Sequence, residues 1–113
     1  MTDPISTGCE PIDTLLGGGL DRNAVSQIYG PPAAGKSNLV LSAAVDVAAA
    51  GGSALYIDTE GMPLERIEQL AQSTDADTDD IASRLIITEA HTFEEQQEAV
   101  QDAADFAEQV EFI

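Results

Sequence analysis

The chain has 113 residues with 21 acidic side chains against 4 basic ones, a net charge of −17, and is nonetheless 43% apolar. That apolar content is too high for an acidic disordered tail, and so few cations argue against nucleic-acid binding by this segment, since neutralising phosphates takes clustered Lys and Arg. Composition favours one folded domain with a carboxylate-rich surface suited to molar salt, where the screening length falls to about 3 Å and carboxylate repulsion is muted.

The first residues lack a charged-then-apolar leader and no run of eighteen apolar residues occurs, which predicts a soluble, cytoplasmic protein with no membrane partner. The single cysteine, Cys9, has no second thiol for a disulfide or a structural zinc site. In chain order, "STGCEPIDTLLGGGL" predicts a short helix over 11–16, opened by a proline in its first turn and stopped by the glycine run. "NAVSQIYG" predicts a strand over 24–29. After the loop "GPPAAGKSN", apolar residues on nearly every side predict a buried helix over 36–50. "ALYID" predicts a strand over 54–58, and "PLERIEQLAQ" an amphipathic helix over 63–72. The polar run "STDADTDD" reads as a loop, and "RLIITEA" as a third strand. Thr92 with Glu95 forms an S/T-x-x-E signature opening a helix to about residue 109, after which "VEFI" begins a fourth strand. Strands alternating with helices of this length indicate an α/β fold with a mainly parallel sheet flanked by helices and right-handed crossovers. A buried strand is an unusual stopping point for a domain, so residues 1–113 read as the N-terminal part of a larger one.

The loop carries the chemistry. Gly30, Gly35, Lys36 and Ser37 satisfy G-x-x-x-x-G-K-[ST] between a predicted strand and a predicted helix, the context that marks a phosphate-binding loop. The predicted cradle runs through Gly30, Pro31, Pro32, Ala33, Ala34, Gly35, Lys36, Ser37 and Asn38. Backbone N–H groups of Ala33, Ala34, Gly35, Lys36 and Ser37 form an anion nest at a helix N-terminus. Lys36, the sole lysine, reaches the β- and γ-phosphates, and the Ser37 hydroxyl takes one position on Mg²⁺. Glu60, in "YIDTEG" at the C-terminal end of the next strand, is placed where its carboxylate either orients the water attacking a γ-phosphate or simply favours a helix start.

Three ordered motifs, "STGCEPIDTLLGGGL", "GPPAAGKSN" and "YIDTEG…ERI", resemble the ATPase core of the RecA-type recombinases, and within them the RadB family, short archaeal paralogues of the RadA recombinase, in a salt-adapted version. The likeness covers nearly the whole chain. It implies a RecA-like P-loop NTPase core truncated at its C-terminus, binding ATP with Mg²⁺ and serving homologous recombination and DNA repair alongside a RadA-type recombinase. By the same resemblance Glu60 matches the family's water-activating glutamate. The chain also departs from the pattern. The family's magnesium-positioning aspartate should follow a strand resembling "VEFIVLD", beyond Ile113, and the DNA-contacting loops come later still. Relatives carry one more residue than "GMPL" between glutamate and "ER", so no adenine contact is assigned to Met62 or Leu64.

Two other readings remain open: a KaiC-like P-loop ATPase, which typically shows paired glutamates where "DTEG" has one, and a nucleotide-dependent adaptor that binds ATP without turnover. Lesser signals read plainly. Asp75, Asp77 and Asp79 have calcium-loop spacing, but Asp80 stands where glycine is wanted and Ile86 where the bidentate glutamate belongs, which leaves a solvated acidic turn. His91 lacks a paired base and reads as a loop or cap residue, while Glu94, Glu95 and Glu98 read as the wet face of a helix.

Overall fold

A computed structural model describes residues 3–31, 34–61 and 64–113 of the protein. Among these residues the elements are helix α1 (Glu10–Leu15), helix α2 (Lys36–Ala49), strand β1 (Ala54–Asp58), helices α3 (Leu64–Gln72) and α4 (Thr78–Arg84), strand β2 (Leu85–Glu89) and helix α5 (Phe93–Phe106). The strands pair in parallel, Ala54 opposite Leu85 and Asp58 opposite Glu89, so both end at the same edge of the sheet. This is the α/β class with parallel strands that the alternating pattern predicts.

The alanine-rich helix α2 organises the packing because it is apolar on more than one side. Leu41, Val45 and Ala48, spaced by four and three residues, form one stripe that meets Ala71 of α3 and Ile81 of α4. Ala44 and Val47 face another way, onto Ile5 and Ala54. Ile81 and Leu41 are sealed at 0% and 2% exposure, and burying a side chain of this kind stabilises by roughly 1.5–3 kcal/mol. Helix α5 flanks β1 and opens on the predicted signature: the Thr92 hydroxyl accepts from Glu95 N–H at 3.1 Å, while the Glu95 carboxylate accepts from His91 N–H at 2.8 Å.

Three expectations are corrected. Residues 24–29 form no strand. They are exposed throughout, Val25 completely, and a strand exists only through hydrogen bonds to a neighbour, whereas neither β1 nor β2 pairs with them. The fourth strand is reduced to one parallel bridge from Phe112 to Ala54, with Leu55 N–H donating to the Phe112 carbonyl at 2.9 Å and Glu111 N–H to that of Ser53 at 2.8 Å. The acidic run ending at Asp80 is not all loop. Asp77 caps α4 by accepting from Asp79 N–H at 3.1 Å, and Arg84 in the last turn reaches Asp80 at 3.4 Å. Aspartates suit both loops and helix starts, and here they do both. Smaller differences lie at the ends: α1 starts at Glu10 and α5 stops at Phe106. Residues 32, 33, 62 and 63, on which part of the predicted cradle and the start of the third helix fall, lie outside the described residues.

Candidate nucleotide site

The site is built around the first turn of α2. Gly35, its N-cap, sits at φ +93° with open space where a side chain would be, a left-handed conformation that glycine adopts without strain. No side chain caps this helix. The acid-rich chain also leaves its start bare: α1, α3, α4 and α5 each carry Asp or Glu in the first turn, and α2 carries none. A helix N-terminus with free N–H groups and its partial positive charge uncompensated is suited to an external anion.

The Lys36 ammonium donates back onto the loop, to the Gly30 carbonyl and, at 3.3 Å, to the Pro31 carbonyl. Of the predicted cradle, Gly30, Pro31, Ala34, Gly35, Ser37 and Asn38 are exposed, with Lys36 half-buried, while Pro32 and Ala33 lie outside the described residues. Ser37 and Asn38 line a cleft of ≈ 250 Å³ whose other wall includes Tyr56, Asp58, Glu60 and Arg66. The structure therefore brings Ser37 and Glu60, 23 positions apart by subtraction of their residue numbers, to one cavity.

Glu60 is exposed, but the turn beneath it is not loose. Buried Asp58 ends β1, and its Oδ1 accepts from the N–H groups of both Glu60, at 3.0 Å, and Gly61, at 3.1 Å. Burial first, then the charges of Asp58 and Glu60, push the Tyr56 phenol upward from its ordinary value, so it remains a neutral O–H donor at the cleft. Arg66 crosses from α3 to α2: its Nε donates to Asn38 Oδ1 at 3.0 Å and its Nη1 to Gln69 Oε1 at 3.2 Å. Asp58 and Arg66 are the residues that sequence reasoning missed. The Asx-type pattern in "DTEG" is a local signal for the first, but nothing local signals a contact between residues 38 and 66.

A magnesium nucleotide fits this donor set. Mg²⁺ is held by few protein oxygens alongside phosphate oxygens and waters, and the Ser37 hydroxyl stands at the cleft beside the uncapped helix start. Among the described residues no group of three or more His, Cys, Asp or Glu is placed to hold a metal alone, and Asp77 is committed to its cap. His91 is exposed at the sheet edge, its Nε2 3.3 Å from Glu89. Its backbone takes part in the α5 cap, as a cap residue should. Among the described residues no helix is long and apolar enough to cross a membrane.

Comparison with known proteins identifies a family and several relatives. The model of the Rad51 family matches residues 3–113. The chain is 50% identical over 109 residues to the DNA repair and recombination protein RadB of Halobacterium salinarum, covering 96% of this chain and 46% of that protein. RadB of Methanoculleus marisnigri is 50% identical over 102 residues, covering 90% of this chain and 44% of that protein. For RadB of Methanococcoides burtonii the identity is 39% over 102 residues, with the same coverage. The chain thus spans about half the length of the curated relatives it matches.

Proposed function

The chain belongs to the Rad51 family, and from that premise we propose that it is the nucleotide-gripping part of a DNA repair and recombination protein of the RadB kind, holding MgATP at the start of α2. One observation carries the reading: in a chain of 21 acidic residues, the only lysine stands at a helix start free of capping side chains and of acids. Residues 1–113 are then the N-terminal part of a longer RecA-like domain. Support comes from the relatives' length and from an open groove of ≈ 1020 Å³ lined by Ile5, Leu20, Val25, Val40, Val100 and Phe112, where apolar surface faces water. In this reading the longer protein works in the cytoplasm with a RadA-type recombinase, and contacts to DNA come from sequence beyond residue 113.

Each residue of the site has a role in its own terms. Lys36 exchanges the carbonyls of Gly30 and Pro31 for β- and γ-phosphate oxygens. N–H groups from the loop and the first turn of α2 hold the remaining phosphate charge. Ser37 offers its hydroxyl to Mg²⁺, which when bound neutralises charge on the β- and γ-phosphates. Glu60, across the cleft from Ser37, accepts a hydrogen bond from a water and orients it. The family match over residues 3–113 favours this reading over a KaiC-like ATPase.

Isothermal titration with MgATP and MgADP in molar potassium chloride tests the grip. Lys36→Ala weakens affinity tenfold or more, the loss of a charge-assisted contact worth about 1.5–3 kcal/mol. Equal affinities for the parent and the variant would sink the assignment.

A further inference from the structure

We propose that Asp58 is the positioning residue for Glu60: one buried carboxylate oxygen fixes the turn that carries the water-orienting carboxylate, and phosphate release depends on Asp58 through Glu60. The inference rests on the nucleotide reading above and adds to it a residue that acts only through another. Asp58 is itself anchored, since it ends β1 at 6% exposure and its carbonyl accepts from Ala90 N–H at 2.9 Å, just past the end of β2. From this fixed point Oδ1 takes two donors, Glu60 N–H at 3.0 Å and Gly61 N–H at 3.1 Å. The peptide units on both sides of the Glu60 Cα are thereby tied to the sheet, and Gly61 completes the turn at φ +77°, a conformation that a side chain would strain. Tyr56 and Asp58 share a face of β1 by strand alternation, and the Tyr56 phenol feels the charge of Glu60 as well as that of Asp58. Glu60 lines the cleft together with Tyr56 and Asp58.

Without the Asp58 acceptor, the exposed segment 59–61 has neither of these two bonds to hold its backbone. A water-orienting group must stand within hydrogen-bond reach of its water, and a displacement of about 1 Å is enough to cost on the order of a hundredfold in rate. The Lys36 bonds to the Gly30 and Pro31 carbonyls and the Gly35 cap of α2 are made without Asp58. Loss of Asp58 should accordingly act on turnover and not on affinity.

The experiment uses the longer protein of which residues 1–113 are a part in the reading above. Four variants are compared with the parent: Asp58→Ala, Asp58→Asn, Glu60→Gln, and Asp58→Ala combined with Glu60→Gln. Single-turnover phosphate release, calorimetric MgADP affinity, and amide exchange at Glu60 and Gly61 are the readouts. Asp58→Ala slows release about tenfold or more with affinity within about twofold, and exchange at both amides accelerates. Asp58→Asn keeps the Oδ1 acceptor and recovers release to within about threefold of the parent. The double variant is no slower than Glu60→Gln alone, as expected when one residue acts through the other. Normal release by Asp58→Ala while Glu60→Gln is slow overturns the positioning role and leaves the nucleotide reading standing. A double variant slower than Glu60→Gln, or a loss of affinity parallel to the loss of rate, also overturns it. If Glu60→Gln releases phosphate as fast as the parent, the water-orienting reading of Glu60 fails and the positioning role falls with it.

Discussion

On one side of α2, Leu41, Val45 and Ala48 meet Ala71 and Ile81 and are sealed from water; ahead of the same helix, residues 24–30 leave Val25 fully exposed and Tyr29 at 88% exposure. Both stretches are apolar enough to be core, so composition does not separate them. Hydrogen bonding does. A helix satisfies its backbone within itself and needs only apolar surfaces to meet, and α2, α3 and α4 supply these to one another. An extended segment has every donor and acceptor pointing sideways and becomes a strand only when a neighbour arrives. Gly35 caps the start of α2, and the segment ahead of Gly30 pairs with neither β1 nor β2.

The contrast is easiest to break at its two extremes. Ile81→Ala should lower stability in molar salt by about 2–5 kcal/mol, a cavity left in a sealed site, whereas Val25→Ala should stay within about 0.5 kcal/mol. Urea titrations of the two variants that gave similar losses would show that the segment around Val25 is packed after all.

Salt acts on both regions together and shows how much charge repulsion each withstands. Among the described residues only two ion pairs join arginine to a carboxylate, Arg22 to Glu111 at 3.8 Å and Arg84 to Asp80 at 3.4 Å, and both are at the surface. The net charge of −17 is therefore left largely to the solvent. Dilution from about 1 M to 0.1 M potassium chloride lengthens screening from about 3 to 10 Å, and should cost about 1 kcal/mol or more, a fall in Tm of roughly 4–8 °C. A circular dichroism melt unchanged by dilution would remove the salt-adapted reading.

The smallest effect sharpens the comparison within α2 itself. Burial first, then the charge of Asp13, raises the Asp46 carboxyl above 3.8, against a hydrogen bond from Ser6 that lowers it. The folded state thus prefers protonated Asp46; its contribution is greatest below the ordinary carboxylate value and is lost as pH rises through the folded one. Asp13 has the opposite sign. Hydrogen bonds from Ser6, then Thr7, hold it below 3.8, so its contribution is present above that value and lost as pH falls through the folded one. Asp46→Asn should raise Tm by about 2 °C at neutral pH, with the gain disappearing below about pH 4. A gain independent of pH would mean that the charge of Asp46 is not its source.

What could be read from sequence follows the same division. The start of α2 at Lys36, β1 at residues 54–58 and the Thr92 cap with Glu95 are local features, set by residues a few positions apart, and the fold shows them where the pattern puts them. The placement of Glu60 at the cleft follows from one rule about strand ends. By contrast, residues 24–29 have strand composition without a partner, and composition carries no information about partners. Helix α4 was obscured because Asp77, Asp79 and Asp80 suit a loop and a helix start equally. The Arg66 contact to Asn38 joins positions 28 apart, a distance at which only the fold decides who meets whom.

Lys36 has a further consequence in a salt-rich setting. A bare ammonium in molar chloride would spend its time beside chloride ions, which outnumber nucleotide by orders of magnitude. Here two backbone carbonyls, those of Gly30 and Pro31, already occupy it. A single monovalent anion gains little by prising the ammonium away from both and has only one charge to offer in return. A polyphosphate brings several charges and can engage the α2 N–H groups in the same event, so it alone recovers more than the loop gives up. In the nucleotide reading, the folded-back lysine would give up its two carbonyls more readily to a polyphosphate than to a lone chloride.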